Sequence, residues 1–302
     1  MDILKIEAVN KTFGDVQAVR DLSLKVGKGR IFGFIGPNGA GKTTTIRMVM
    51  QILLPDSGKI EIFGKPPEPG LTNRIGYLPE ERGLYKKMKV EDQVAFLGEI
   101  KGLSHAASVA EAKKWLERVE LAEWAGKKIE ELSKGMQQKI QFVGAVLHQP
   151  ELLILDEPFS GLDPVNTNLL KDILLGLKSS GATVIFSTHQ MDQVEKLCDA
   201  ICLIDHGRNL LEGSLPEVKA RFGKGRVHLR YEGRADFLQN RSLVAEFNDY
   251  GKFVEIRPAA KVAPQDILQA AAREVTVTHF EIAEPSMNEI FIQVVQYKGG
   301  KA

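Results

Sequence analysis

The chain has 302 residues, 43% of them apolar and 26% charged, so it is long enough to bury a core in each of about two domains. Lys and Arg total 40 against 39 Asp and Glu, a net charge of +1, which excludes polyanion binding through bulk charge. No run approaches the ~20 apolar residues of a membrane span, the first ten residues lack an apolar signal region, and Cys198 and Cys202 make no disulfide framework; the expectation is a soluble chain in a reducing compartment.

In chain order, Leu4, Ile6 and Ala8 alternate with Lys5 and Glu7, and Leu22, Leu24 and Val26 repeat the pattern after a Gly14-Asp15 turn. Both segments read as half-exposed antiparallel strands. The denser run Ile31 to Ile35 reads as a strand buried on both faces. A Gly-rich turn leads into a helix from Thr43 to Leu53, which Pro55-Asp56-Ser57-Gly58 breaks before a strand at Ile60 and Ile62. From Val90 to Leu147 the pattern is helical, with Ser108 and Glu111 read as a capping box. Strand Leu152–Leu155 precedes helix Pro164–Leu177, capped by Asp163. Strand Ala182–Ser187, helix Met191–Leu197, strand Ala200–Ile204 and a last strand near Gly213 follow. Cys198 and Cys202 read as core packing, with no further metal ligands near them.

Three segments carry chemistry. Gly36-Pro37-Asn38-Gly39-Ala40-Gly41-Lys42-Thr43-Thr44 fits G-x-x-x-x-G-K-[ST]. Its glycines let backbone N–H groups wrap a phosphate, and the next helix adds its positive end. Lys42 supplies charge to the β- and γ-phosphates, and Thr43 a hydroxyl ligand for Mg²⁺. Leu152 to Leu155 runs into Asp156 and Glu157, at the strand end where parallel sheets place ligands. Asp156 reads as holding Mg²⁺ through water and Glu157 as polarising the attacking water. Ser133 and Gly135, opening the helix after Leu132, read by themselves as a plain Ser N-cap, with a second anion site as the alternative.

The phosphate loop, Leu132-Ser133-Lys134-Gly135-Met136-Gln137-Gln138 and Leu152-Leu153-Ile154-Leu155-Asp156-Glu157-Pro158 stand in an order that resembles the ATP-binding subunits of ABC transporters. The resemblance covers residues 1 to about 220. It implies an α/β P-loop NTPase cassette with a mixed-sheet core, an antiparallel β subdomain and a helical subdomain at about 88–135. It also implies ATP and Mg²⁺ as cofactors and a head-to-tail dimer with a second ATP-binding subunit, in which Ser133 and Gly135 cap the partner's γ-phosphate. By the same resemblance Phe13 stacks on adenine, Asp163 in Ser160-Gly161-Leu162-Asp163 belongs to a loop crossing the dimer interface, and His189 is the γ-phosphate switch. Glu80 stands where the family usually has Gln; a carboxylate still coordinates Mg²⁺ but donates no amide N–H.

A linker is expected at 221–226, followed by an accessory α+β domain at 227–302. That domain reads as strands Val227–Tyr231, Phe253–Ile256 and Val275–Ile282 with helices Pro264–Arg273 and Ser286–Val295, the last with a Ser286/Glu289 capping box. Its ending, Glu284-Pro285-Ser286-Met287-Asn288-Glu289-Ile290-Phe291, is similar to cassettes of sodium- and drug-export type. The expected activity is ATP hydrolysis driving a transmembrane permease subunit, on the cytoplasmic face of the membrane and with no nucleic acid. The rival is a soluble ABC ATPase acting on nucleic acid or ribosomes, which usually carries two cassettes or a strongly basic tract.

Overall fold

The computed structural model describes residues 2–68, 70–81, 83–222 and 226–299. It divides into two compact units, Met1–Leu215 and Pro216–Ala302.

The first unit is built on two sheets. Strands β1 (Asp2–Phe13), β2 (Val16–Gly27) and β4 (Ser57–Ile62) form an antiparallel sheet in the order β2-β1-β4. The second sheet has six strands: β3 (Ile31–Ile35), β5 (Ile75–Leu78), β6 (Leu152–Asp156), β7 (Thr183–Thr188), β8 (Ala200–Asp205) and β9 (Arg208–Ser214), in the order β5-β6-β7-β3-β8-β9. Only β9 runs antiparallel in it. β3, β6 and β7 are buried at every residue, which is why they read as continuous apolar runs and not as alternations. Helix α1 (Lys42–Val49) lies in the core between the sheets, its Ile46, Met48 and Val49 packed with Leu4, Ile6, Leu24, Val26, Phe32, Phe34, Ile154 and Ile185. Each such side chain contributes roughly 1.5–3 kcal/mol on burial.

α1 is shorter than the sequence predicts. Gln51 takes φ 58, and the N–H groups of Ile52 and Leu53 both turn back to the carbonyl of Arg47, a left-handed close of the kind that ends helices. The middle holds α2 (Val90–Ile100), α3 (His105–Arg118) and α4 (Lys134–Val146). The Ser108 cap is a correction. The chain leaves α2 through Gly102 at φ 90, so the next helix restarts earlier, and Ser104 Oγ accepts the Ala107 N–H at 3.3 Å. Ser108 lies inside α3, fully buried. Helices α5 (Pro164–Ser179) and α6 (Met191–Leu197) follow their strands as expected, and Asp163 caps α5 by accepting the Asn166 N–H at 2.9 Å.

Helix α7 (Leu215–Phe222) begins at the division between the units. The linker expected at 221–226 therefore opens on the last turn of a helix, and 223–225 lie outside the described residues. The second unit has one antiparallel sheet: β10 (Arg226–Glu232), β11 (Val244–Asp249), β12 (Val254–Pro258) and β13 (Thr276–Ala283), ordered β11-β12-β10-β13. Helix α8 (Pro264–Glu274) covers one face, placing Ile267 and Ala271 against Val227, Leu229, Val254 and Ile256. β11 is a fourth strand where the sequence suggests three. It is an edge strand with only Val244 buried, so it lacks the clean alternation of a half-buried strand. Helix α9 (Met287–Gly299) opens with the predicted capping box: Glu289 N–H donates to Ser286 Oγ and Ser286 N–H to Glu289 Oε2.

Cys198 and Cys202 are buried free thiols, and among the described residues no group of His, Cys, Asp or Glu is arranged to hold a metal by itself. No described helix is long and apolar enough to cross a membrane.

Candidate active site

The parallel strands bring their carboxyl ends to one level: Ile35 is paired with Thr188, Asp156 with Ser187, and Leu78 with Leu155. A cleft of about 220 Å³ opens there, lined by Ala18, Asn38, Gly39, Ala40, Gly41, Lys42, Thr43, Thr44, Glu80, Asp156 and Glu157. Sequence positions 18 to 157 thus converge where the adjacent strands β5, β6, β7 and β3 end at one level.

The loop from Gly36 to Gly41 is shaped by close approaches. A Cβ at Gly36 would lie 2.2 Å from the Ile204 carbonyl oxygen, and one at Gly41 2.4 Å from that of Ala18. Gly41 also sits at φ 101, immediately before α1, a conformation that L side chains rarely adopt. Lys42 is 7% exposed and its Nζ donates to the carbonyls of Gly36 at 2.7 Å and Pro37 at 3.1 Å. Burial pushes its pKa down, while the carboxylates of Glu157, Asp156 and Glu80 oppose that shift. The cleft therefore holds one cationic side chain and three carboxylates. Such a surface repels a polyphosphate unless backbone N–H groups and an added cation offset it.

Asp156 is 1% exposed. Ser187 Oγ donates to its Oδ1, while Oδ2 is buried without a hydrogen-bond partner. An orphaned carboxylate oxygen beside Thr43 and Glu80 fits a hydrated divalent cation. Glu157 follows at φ 49, the left-handed region where a non-glycine residue is strained. Its N–H donates to the same Ser187 Oγ at 3.1 Å, and its Oε1 lies 3.0 Å from His189 Nδ1. One serine hydroxyl thus anchors two successive acidic residues.

Ser187 belongs to none of the motifs that the sequence displays. Its signal is a polar residue following the apolar run Val184–Phe186, paired in register with Asp156. Ala18, at the cleft wall, carried no signal. The remaining predicted residues lie outside the cleft lining. Gly36 and Pro37 serve through their carbonyls on Lys42, and His189 through Glu157. Phe13 is 47% exposed at the end of β1, with Lys11 Nζ 5.6 Å from its ring centre. Ser133 caps α4, its exposed Oγ accepting the Met136 N–H at 3.2 Å, and the N-terminal turn at Gly135 faces the Gly161 carbonyl and Leu162. Hydrogen bonds from Asn166 hold the Asp163 carboxyl below the usual range.

Comparison with known proteins matches the family described as "ABC transporter" over residues 19–160. A second model, "ATP-binding protein DrrA1-3-like, C-terminal domain", matches residues 213–295. The chain is 45% identical to an uncharacterized ABC transporter ATP-binding protein, YhaQ, of Bacillus subtilis, across 97% of this chain and 98% of that one. It is 38% identical to Nod factor export ATP-binding protein I of Cupriavidus pinatubonensis, across 70% of this chain and 66% of that one. A solved ATP-binding subunit of an ABC transporter superposes with a TM-score of 0.68 at 31% identity, over 73% of this chain and 93% of that one.

Proposed function

The chain belongs to the ABC transporter ATP-binding subunits, a family of ATPases, and from that premise we propose that it powers an exporter. In this reading it pairs with a second ATP-binding subunit, as a homodimer, and with a transmembrane permease subunit that holds it at the cytoplasmic face of the membrane. Export is supported by the likeness to a Nod factor export protein and by the resemblance of the ending Glu284 to Phe291 to cassettes of export type. The cassette extends to about residue 220 and the accessory domain begins near 227.

Backbone N–H groups from Gly39 to Thr44 and the Lys42 ammonium hold the phosphates, with Lys42 exchanging the Gly36 and Pro37 carbonyls for β- and γ-oxygens. Thr43, Glu80 and, through water, Asp156 would hold Mg²⁺, which would offset phosphate charge. The Asp156 Oδ2 atom, buried without a partner, is the free acceptor that supports this. Glu157 accepts a hydrogen bond from the attacking water and orients it, and His189, at 3.0 Å, keeps that carboxylate aimed and meets the γ-phosphate. Phe13 stacks on adenine. Ser133, exposed at the start of α4, and the half-buried Gly135 act on the nucleotide of the partner subunit, and Asp163 orders the loop between them and that site.

The observation that carries the reading is the pairing of Glu157 with His189 beside Lys42 and the orphaned Asp156 oxygen. Glu157→Gln keeps the shape and removes the charge. The variant should bind MgATP normally, turn over at a rate near background and run as an ATP-dependent dimer in size-exclusion chromatography. Wild-type ATPase activity in that variant would overturn the proposal.

A further inference from the structure

We infer that Gln138 and Gln141 are positioning residues that tie both acidic loops of the cleft to the helix carrying Ser133. The inference rests on the reading of Glu157 and Glu80 given above.

The two glutamines are three residues apart and so share one face of α4. They are 5% and 7% exposed. Gln138 Nε2 donates at 3.2 Å to the carbonyl of Pro158, the residue after Glu157. Gln141 Nε2 donates at 3.3 Å to the carbonyl of Glu81, the residue after Glu80. Both carbonyls belong to irregular backbone leaving a strand, β6 and β5 respectively. Neither carbonyl has a ladder partner; that of the buried Pro158 needs a side-chain donor, and that of the exposed Glu81 is tied to the helix by Gln141.

The bonds sit where they constrain the carboxylates. Glu157, strained at φ 49, is held on its N-terminal side by Ser187 Oγ and on its C-terminal side by Gln138 at Pro158. Fixing the backbone on both sides fixes the arc its carboxylate can sweep. Gln141 does the same for the Glu80 loop from one side. It also leaves its own Oε1 buried without a partner. An unsatisfied amide oxygen is a cost, and the Glu81 bond supplies the physical reason for keeping an amide there. At the start of the same helix, the Gly135 turn faces the Gly161 carbonyl. One rigid helix therefore connects Ser133, the Glu157 loop and the Glu80 loop. A shift of its first turn is carried to both carboxylates.

Gln138→Met and Gln141→Met keep volume and remove the donor. With the full chain, MgATP turnover should fall about tenfold for Gln138→Met and about threefold for Gln141→Met, because small misplacements of a catalytic group cost rate steeply. KM and the affinity for a fluorescent ATP analogue should stay within about twofold, since neither side chain faces the phosphate loop. Gln138→Glu, which replaces the N–H donor by oxygen, should lose at least as much kcat. Melting curves fix an assay temperature at which each variant is folded. Wild-type kcat in both Gln138 variants would overturn the inference while a dead Glu157→Gln leaves the proposed function standing. A loss of affinity parallel to the loss of kcat would also overturn it. An active Glu157→Gln would instead remove the premise.

Discussion

Ser187→Ala tests the junction on which the site is built. Ser187 is fully buried, donates to Asp156 Oδ1 and accepts the Glu157 N–H at 3.1 Å. Losing the bond to a carboxylate costs about 1.5–3 kcal/mol. Leaving the half-buried Glu157 N–H without its partner adds about 1 kcal/mol, the low end of the range for an unpaired donor. The missing oxygen opens a space far smaller than a methylene series creates, so packing adds little. The expected loss is about 3–4 kcal/mol, because Asp156 Oδ2 has no partner to share the load. Urea unfolding followed by tryptophan fluorescence measures it cleanly, since Trp115 and Trp124 both lie in the first compact unit. The midpoint should fall with an unchanged slope. Turnover should fall about tenfold at saturating MgATP, as the strained Glu157 backbone is freed. A stability change below about 1 kcal/mol together with wild-type kcat would refute the reasoning.

Gly36→Ala sets a Cβ 2.2 Å from the Ile204 carbonyl oxygen, so the loop must move; affinity for an ATP analogue should fall more than about tenfold while circular dichroism keeps its helical signal. Phe13→Ala removes a half-exposed ring; melting should be unchanged and the KM for ATP should rise roughly two- to tenfold if the ring stacks on adenine, so an unchanged KM would remove that role. His148 is half-buried with Nε2 3.3 Å from the Ile75 carbonyl, and burial, then the Lys101 cation, lower its pKa from 6.5 to about 4. Its folded pKa lies below its unfolded one, so the unfolded chain binds the extra proton and stability falls as pH drops through that window, levelling off below it. Allowing for partial solvent access, the wild type should lose about 1–2 kcal/mol more than His148→Gln between neutral pH and the lower pKa in urea titrations; equal losses would show that His148 is not the group responsible.

Much of the site was legible because its signals are local. A phosphate loop needs glycine, lysine and threonine at fixed spacing, and the run Leu152–Leu155 before Asp156 and Glu157 marks a buried strand delivering carboxylates to a sheet edge. The caps at Asp163 and Ser286 are equally local. Where local signals compete, neighbouring residues alone do not choose between them. Ser104 and Ser108 both suit a cap, and the choice fell to the left-handed turn at Gly102. Edge strand β11 buries too little to leave a pattern.

The sequence by itself displayed the Gly36–Thr44 motif and the Asp156-Glu157 pair, because each is a pattern of chain neighbours, and it pointed to the fold class through the family resemblance those motifs carry. Only the tertiary structure decided that Ser187 anchors Asp156 and Glu157 together, that His189 meets Glu157 at 3.0 Å, and that Gln138 and Gln141 grip the carbonyls of Pro158 and Glu81. Those bonds join residues 20 to 60 positions apart. A single buried donor carries no periodicity, so its partner is fixed only once β5, β6 and β7 lie in register and α4 packs beneath their ends. The net charge of +1 concealed a cleft of three carboxylates and one lysine, because a sum over the chain is silent about which charges the sheet brings together.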